Sequence, residues 1–478
     1  MTWGDFAVFR AVLSAMAGGL VLAGCAHLGI TSDTPLSQAQ SVNRLMDAHP
    51  GDNFHIVLIH GIGTSDRTTW DGFRARLCQH LAGRCASPAP KGRTSEQLIL
   101  SPHAPPANFL GNRIWPSDAE WNGSQPFVDH YIFKLNGGRH LIVDEINWWP
   151  LVLAFKCQFI VPDETALVGP ARANISNCAK HDDVHFPWLS QGTANALLAT
   201  HPISGGAPWA NASLKTGVLD WGISDAVLSL GTLKGLLRET VRCSFADIAE
   251  FNWDQFGGSA PGPQTAVPLT YVCGQGYSAA SPPQSPSKTR FVIISHSLGA
   301  FLLMDTFAAA AADANYYRQP GSDSCRMNTA ATLSELHTTG QNPEEAAARS
   351  RNAQSFCLIL TSSDHLYFFA NQFALLELAR AQGLSSFAIE PTSGLAACAD
   401  ALSLWAGCGN LATGEKQIVA FSDPGDLLTF KVPKIRGATV INVYTHNAPV
   451  WLGAIELPTS AHANYITSDD VLKIVFGN

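Results

Sequence analysis

The segment Arg290-Phe291-Val292-Ile293-Ile294-Ser295-His296-Ser297-Leu298-Gly299 decides the fold class of the whole chain. Its first half is a short, nearly unbroken apolar run, the pattern of a strand buried on both faces of a parallel sheet. Its second half is small and polar, and it leads directly into Ala300 to Ala312, a stretch of helical composition. Strand, tight turn and helix in immediate succession form the unit from which parallel α/β sheets are built.

Four other runs carry the same buried-strand pattern: Phe54 to Ile59, ending at His60-Gly61, then Phe356 to Leu360, Gln417 to Phe421 and Thr439 to Tyr444. Helical stretches such as Ala300 to Ala312 and Phe369 to Ala381 lie between them, so strands alternate with helices. The expected fold is α/β, one domain over residues 54–478 with a mainly parallel sheet flanked by helices. Residues from about 105 to 245 break the pattern and read as an insertion or cap. They include an expected hairpin, His130 to Phe133 and His140 to Val143 around Asn136-Gly137-Gly138, followed by the apolar run Trp148 to Val161.

Composition narrows the function classes. Of 478 residues, 46% are hydrophobic and only 14% charged, which supplies a core and excludes a globally disordered chain. Thirty Lys and Arg against 38 Asp and Glu give a net charge of −8 with no basic run, so no phosphate-neutralising surface for nucleic acid is expected.

A strand that turns sharply into a helix holds its turn residue in a strained backbone conformation and lifts that side chain above the sheet edge. Ser297 occupies this position. The helix behind it favours developing negative charge, and the Leu298 amide is directed toward where an oxyanion would form. A serine hydroxyl is a weak nucleophile near neutral pH, so a base and an orienting carboxylate are required.

Through Ser295-His296-Ser297-Leu298-Gly299 and His60-Gly61-Ile62-Gly63, the chain resembles the α/β-hydrolase superfamily, specifically its lipase and esterase branch. Ser295 departs from the first glycine of the G-x-S-x-G motif, although it is small enough to fit the turn. The resemblance implies an α/β-hydrolase fold and a serine hydrolase acting on an ester or lipid substrate without metal or organic cofactor. It implies Ser297 as nucleophile and His462, after the last strand, as base, with His446 as the competing histidine. It further implies Asp426 as the acid, with Asp423 and Asp364 as alternatives, and the backbone N–H groups of Ile62 and Leu298 as oxyanion donors. The order Ser297, Asp426, His462 follows the superfamily. His60 is expected to shape its loop rather than to move protons.

At the N-terminus, the apolar run Ala11 to Ala23 after Arg10 has the layout of a signal peptide. Its end, Leu22-Ala23-Gly24-Cys25, resembles the lipobox of bacterial lipoproteins, which implies cleavage after residue 24, lipidation of Cys25 and a membrane-tethered, exported protein. Residues 25–53 are expected to form the tether. The ten cysteines beyond Cys25 suit an oxidising compartment, and spacing favours Cys78 with Cys85, Cys157 with Cys178 and Cys398 with Cys408. No zinc-type Cys spacing occurs. His181-Asp182-Asp183-Val184-His185 reads as a solvated loop rather than a cation site. Trp148, Trp149, Phe368 and Phe369 could line an acyl pocket or form a lid, although most aromatics in such a chain belong to the core.

Overall fold

The computed structural model describes residues 30–61, 68–100, 126–159, 223–231, 233–251, 269–273, 289–312, 358–372, 416–435, 437–447 and 458–477, with short pieces at 316–318, 325–327, 355, 375–376 and 405. Its centre is one ten-stranded sheet in the order β1-β12-β11-β10-β7-β2-β5-β4-β3-β6. The strands are β1 (Thr31–Ser32), β2 (Asn53–Ile59), β3 (Gly92–Ile99), β4 (Phe127–Lys134), β5 (His140–Asn147), β6 (Leu269–Val272), β7 (Thr289–His296), β10 (Ser363–Phe369), β11 (Lys416–Ser422) and β12 (Ala438–Tyr444). Strands β8 (Tyr316–Arg318) and β9 (Cys325–Met327) form a separate small hairpin.

From β5 through β2, β7, β10 and β11 to β12 the pairing is parallel. The chain therefore belongs to the α/β class with a mostly parallel sheet. Strand β2 is followed along the sheet by β5 on one side and β7 on the other, so the crevice beyond the carboxyl ends of β2 and β7 is a topological switch point, where open α/β sheets bind ligands.

Helices cover both faces. On one side, α5 (Lys234–Glu250) and α6 (Leu298–Ala312) bury Leu237, Val241, Phe245, Phe301 and Leu303 against Val57, Ile59, Ile293 and Ile418. On the other, α1 (Val42–Ala48), α2 (Asp71–His80) and α8 (Asp469–Phe476) pack on Phe54, Ile56, Leu58, Val292 and Ile294. Helix α8 shows how sequence sets such an element. Ser468 caps its N-terminus by accepting from the Val471 amide, and Gly477 ends it at φ 80°. Val471, Leu472, Val475 and Phe476 bury one face between these stops, each side chain contributing about 1.5–3 kcal/mol of transfer free energy. Other helices among the described residues include α3 (Trp149–Phe159), α4 (Ser224–Leu230) and α7 (Pro458–Ala463).

Five expectations change. The run Phe356 to Leu360 does not supply a strand: residues 358–362 are helical, and the strand is β10, Ser363–Phe369. A short apolar run fits either element, and here the buried strand starts at the polar Ser363-Asp364-His365. The expected helix Phe369 to Ala381 accordingly loses Phe369 to β10, and residues 370–372 are not helical.

The expected insertion of about 105–245 is not one unit outside the core. The hairpin forms, with Gly137 and Gly138 both at φ 84°, but its strands β4 and β5 belong to the sheet, and β5 pairs directly with β2. Residues 30–52, expected to be a free tether, pack on the globular body instead. Thr31 and Ser32 pair with β12, and α1 buries Val42, Leu45 and Met46. Finally, Trp148, Phe368 and Phe369 are fully buried core residues rather than lid or pocket residues.

Cys78 and Cys85 are bonded, with Cα atoms 5.6 Å apart, and Cys243 joins Cys273, a pair that spacing did not suggest, at 5.4 Å. Cys178, Cys398 and Cys408 lie outside the described residues, as do Cys25, the signal segment and His181 to His185. Among the described residues, no helix is long and apolar enough to cross a membrane.

Candidate active site

Ser297 stands between β7 and α6 with φ 54°, a left-handed conformation that costs an ordinary residue about 1–2 kcal/mol. The surroundings hold it there. Its amide donates to the Phe369 carbonyl at 2.8 Å, extending the β7–β10 ladder by one step, and its carbonyl accepts from Ala300 at 3.1 Å. Two glycines make room for the turn. A Cβ on Gly61 would lie 2.4 Å from the Ser297 Cβ, and one on Gly299 would lie 2.5 Å from the carbonyl oxygens of Ile59 and His60. The ends of β2 and β7 therefore approach closely only because both positions lack a side chain.

The Ser297 Oγ lies 2.8 Å from Nε2 of His462 on α7. The other ring nitrogen of His462, Nδ1, lies 2.9 and 3.0 Å from the two carboxylate oxygens of Asp426. Asp426 follows β11 in a turn that fixes its carboxylate: Oδ1 accepts from the Leu428 amide at 2.9 Å, and the Asp426 amide donates to the Asp423 carbonyl at 2.9 Å. With Nδ1–H directed at the carboxylate, Nε2 carries the lone pair and accepts the serine proton. Three side chains from distant parts of the chain thus form one continuous hydrogen-bonded relay. Asp426 and Ser297 are buried, whereas the His462 side chain keeps 14% of its surface exposed.

The competing residues sit elsewhere. Asp423 accepts from the Gly425 amide at 2.8 Å and from the Asn447 amide, which uses its carboxylate in shaping the β11 turn. Asp364 pairs with Arg290 at 3.2 Å near the opposite ends of β10 and β7. His446 follows β12, but the imidazole bonded to Ser297 is that of His462. Leu298 opens α6, where the first amides of a helix have no partner within the helix. Ile62 lies outside the described residues.

Sequence reasoning missed three contributors. The Gln372 Nε2 lies 2.8 Å from the Ser297 Oγ; the serine has one proton, which goes to His462, so Gln372 is the donor. The Tyr465 hydroxyl accepts from the Asp423 amide and donates to Asp426 Oδ2 at 3.4 Å, tying the His462 segment to the acid turn. His296, beside Ser297, donates from Nε2 to the His462 carbonyl at 2.8 Å, and burial first, then the charge of a protonated His462, pulls its pKa down to about 3.

His60 also stays neutral, since burial lowers its pKa to about 4. Its ring stacks on Trp148 with centroids 4.7 Å apart, and the Trp148 indole N–H donates to the His60 carbonyl at 3.1 Å. Trp148, at the end of β5, therefore props the segment that follows β2. Comparisons of the chain with protein-family models, curated proteins and solved structures returned no match.

Proposed function

We propose that the protein is a serine hydrolase of the α/β-hydrolase superfamily that cleaves carboxylic esters, exported and held at a bacterial cell envelope by lipid on Cys25. The single observation that carries the catalytic reading is the relay from Asp426 through His462 to Ser297, whose hydroxyl is presented from a turn at positive φ. A structural serine has no use for this combination, because strain, a general base and an orienting carboxylate converge on one oxygen.

In the proposed reaction His462 takes the Ser297 proton as Oγ attacks the ester carbonyl, and the Leu298 and Ile62 amides stabilise the resulting oxyanion. His462 then protonates the leaving alcohol, giving an acyl-serine. Water activated by the same imidazole releases the acid and restores the serine. Asp426 keeps the imidazole in the required tautomer throughout. The residues provide every proton transfer in this cycle, so the proposal invokes no cofactor.

Turnover of chromogenic esters of increasing acyl length tests the reading. Ser297→Ala should lower kcat by at least about 10³-fold while leaving the circular dichroism spectrum and Tm unchanged. Unaltered turnover in that variant refutes the assignment.

A further inference from the structure

Away from the crevice, a second group of titratable side chains is sealed inside the molecule. Glu96 on β3, His130 on β4 and Asp247 on α5 are all fully buried. One potential ligand atom from each lies within 4.8 Å of the others. His130 Nε2 is 3.3 Å from Asp247 Oδ2 and 3.9 Å from Glu96 Oε2, and it has hydrogen-bond geometry to neither.

The opposite nitrogen is firmly held. His130 Nδ1 lies 2.6 Å from Asp144 Oδ1, across the β4–β5 pair, and the other oxygen of Asp144 lies 2.7 Å from His55 Nδ1. Phe251 stacks on the His130 ring at 4.0 Å and fixes its plane. With Nδ1–H directed at Asp144, Nε2 faces two carboxyl groups that share a hydrogen bond, and the surrounding acids favour positive charge at this point, whether a proton on the ring or a cation held by all three side chains. A carboxylate behind one imidazole nitrogen, with the other aimed into a set of donor atoms, is the arrangement that orients histidine toward metal ions.

We propose that Glu96, His130 and Asp247 form a binding site for one first-row divalent cation, with Zn²⁺ the best match to one imidazole and two carboxylates. Bonds of about 2.0–2.1 Å to a tetrahedral ion put neighbouring ligand atoms about 3.4 Å apart. The His130–Asp247 separation of 3.3 Å already meets this, and the Glu96 separation of 3.9 Å needs only a small side-chain rotation. Calcium fits poorly, since it takes six to eight oxygen ligands at longer distances. Burial and the neighbouring acid push the Glu96 carboxyl up, and burial raises Asp247 to about 8, so without a cation one proton shared between the acids is the competing state.

The site has a structural consequence. It ties helix α5 to strands β3 and β4, one helical turn from the Cys243–Cys273 bond that already anchors α5 beside β6. It lies three strands from β7 in the sheet, about 14 Å away laterally, so its role is separate from ester cleavage.

Full-length protein, purified without a histidine tag, stripped with EDTA and dialysed against Zn²⁺, tests the proposal. Elemental analysis should find about one zinc per chain, and Tm should rise by at least about 2 °C over the stripped form. Asp247→Asn and Glu96→Gln, which conserve shape, should each weaken zinc binding at least tenfold, and Asp144→Asn should weaken it about 10- to 100-fold. The Co²⁺-substituted wild-type protein should show the visible absorption of a tetrahedral nitrogen and oxygen site, a readout that does not depend on any variant folding. No retained zinc, calcium bound in its place, or equal zinc binding by folded acid variants overturns the proposal in favour of the shared proton.

Discussion

The Gln372 side chain donates a 2.8 Å hydrogen bond to the same Ser297 oxygen that faces His462. In the proposed reaction this donor stabilises charge as it develops on Oγ and fixes the hydroxyl rotamer before attack. One such bond contributes about 0.5–1.5 kcal/mol. Gln372→Leu should therefore lower kcat for a short-chain ester about 3- to 10-fold with little change in KM. Steady-state kinetics checks this, and an unchanged kcat would leave Gln372 a purely structural residue.

Gly61 gives a sharper test of how the site is assembled. Adding a methyl group there sets a carbon 2.4 Å from the Ser297 Cβ and 2.9 Å from the His296 carbonyl oxygen, so the backbone must shift. A displacement of about 1 Å at a reacting atom costs about 10² in rate. Gly61→Ala should lose about that factor in kcat/KM and also lower Tm, both measurable on one preparation.

His296 predicts a pH dependence of stability. Folded His296 resists protonation until about pH 3, whereas an unfolded histidine takes its proton near pH 6.5. Above pH 6.5 both states are neutral and the residue contributes nothing to the slope. As pH falls below 6.5 the unfolded state binds one more proton, so stability declines by up to about 1.4 kcal/mol per pH unit toward the folded pKa. Denaturant unfolding at pH 6.5 and 4.5 measures the slope. His296→Gln, which keeps a donor for the His462 carbonyl, should reduce that slope by about one proton; an identical slope contradicts the assignment.

Legibility in the sequence followed burial. Strands β2, β7, β11 and β12 sit inside the sheet, and their continuous apolar runs announce them. The actual β10 begins with Ser363-Asp364-His365, so the apolar run just before it, now helical, was the more conspicuous signal. Strand β3, Gly92–Ile99, is mostly polar and offers no apolar run to announce it, yet Thr94, Ser95 and Glu96 are buried at the sheet's far side. The packed N-terminal helix did leave a signal: Ser41 as cap, then Val42, Leu45 and Met46 at helical spacing.

The hydrolase resemblance singles out Ser297, Asp426 and His462 by their order after successive strands, and the fold brings these three side chains within hydrogen-bond distance, with Gln372 as a further donor to the serine. Gln372 left no motif. It follows β10, the strand beside β7, and only the sheet order brings it to the serine. His130 and Asp247 are over 100 residues apart, and no sequence spacing could have paired them.

The reactivity of Ser297 toward a fluorophosphonate tests the central claim most directly, since this reagent forms a covalent bond only with an activated serine. Mass spectrometry should find one adduct per chain on the peptide carrying Ser297, formed at least about 10²-fold more slowly in His462→Ala. Folded protein that takes up no reagent, or takes it up at a different residue, contradicts the account.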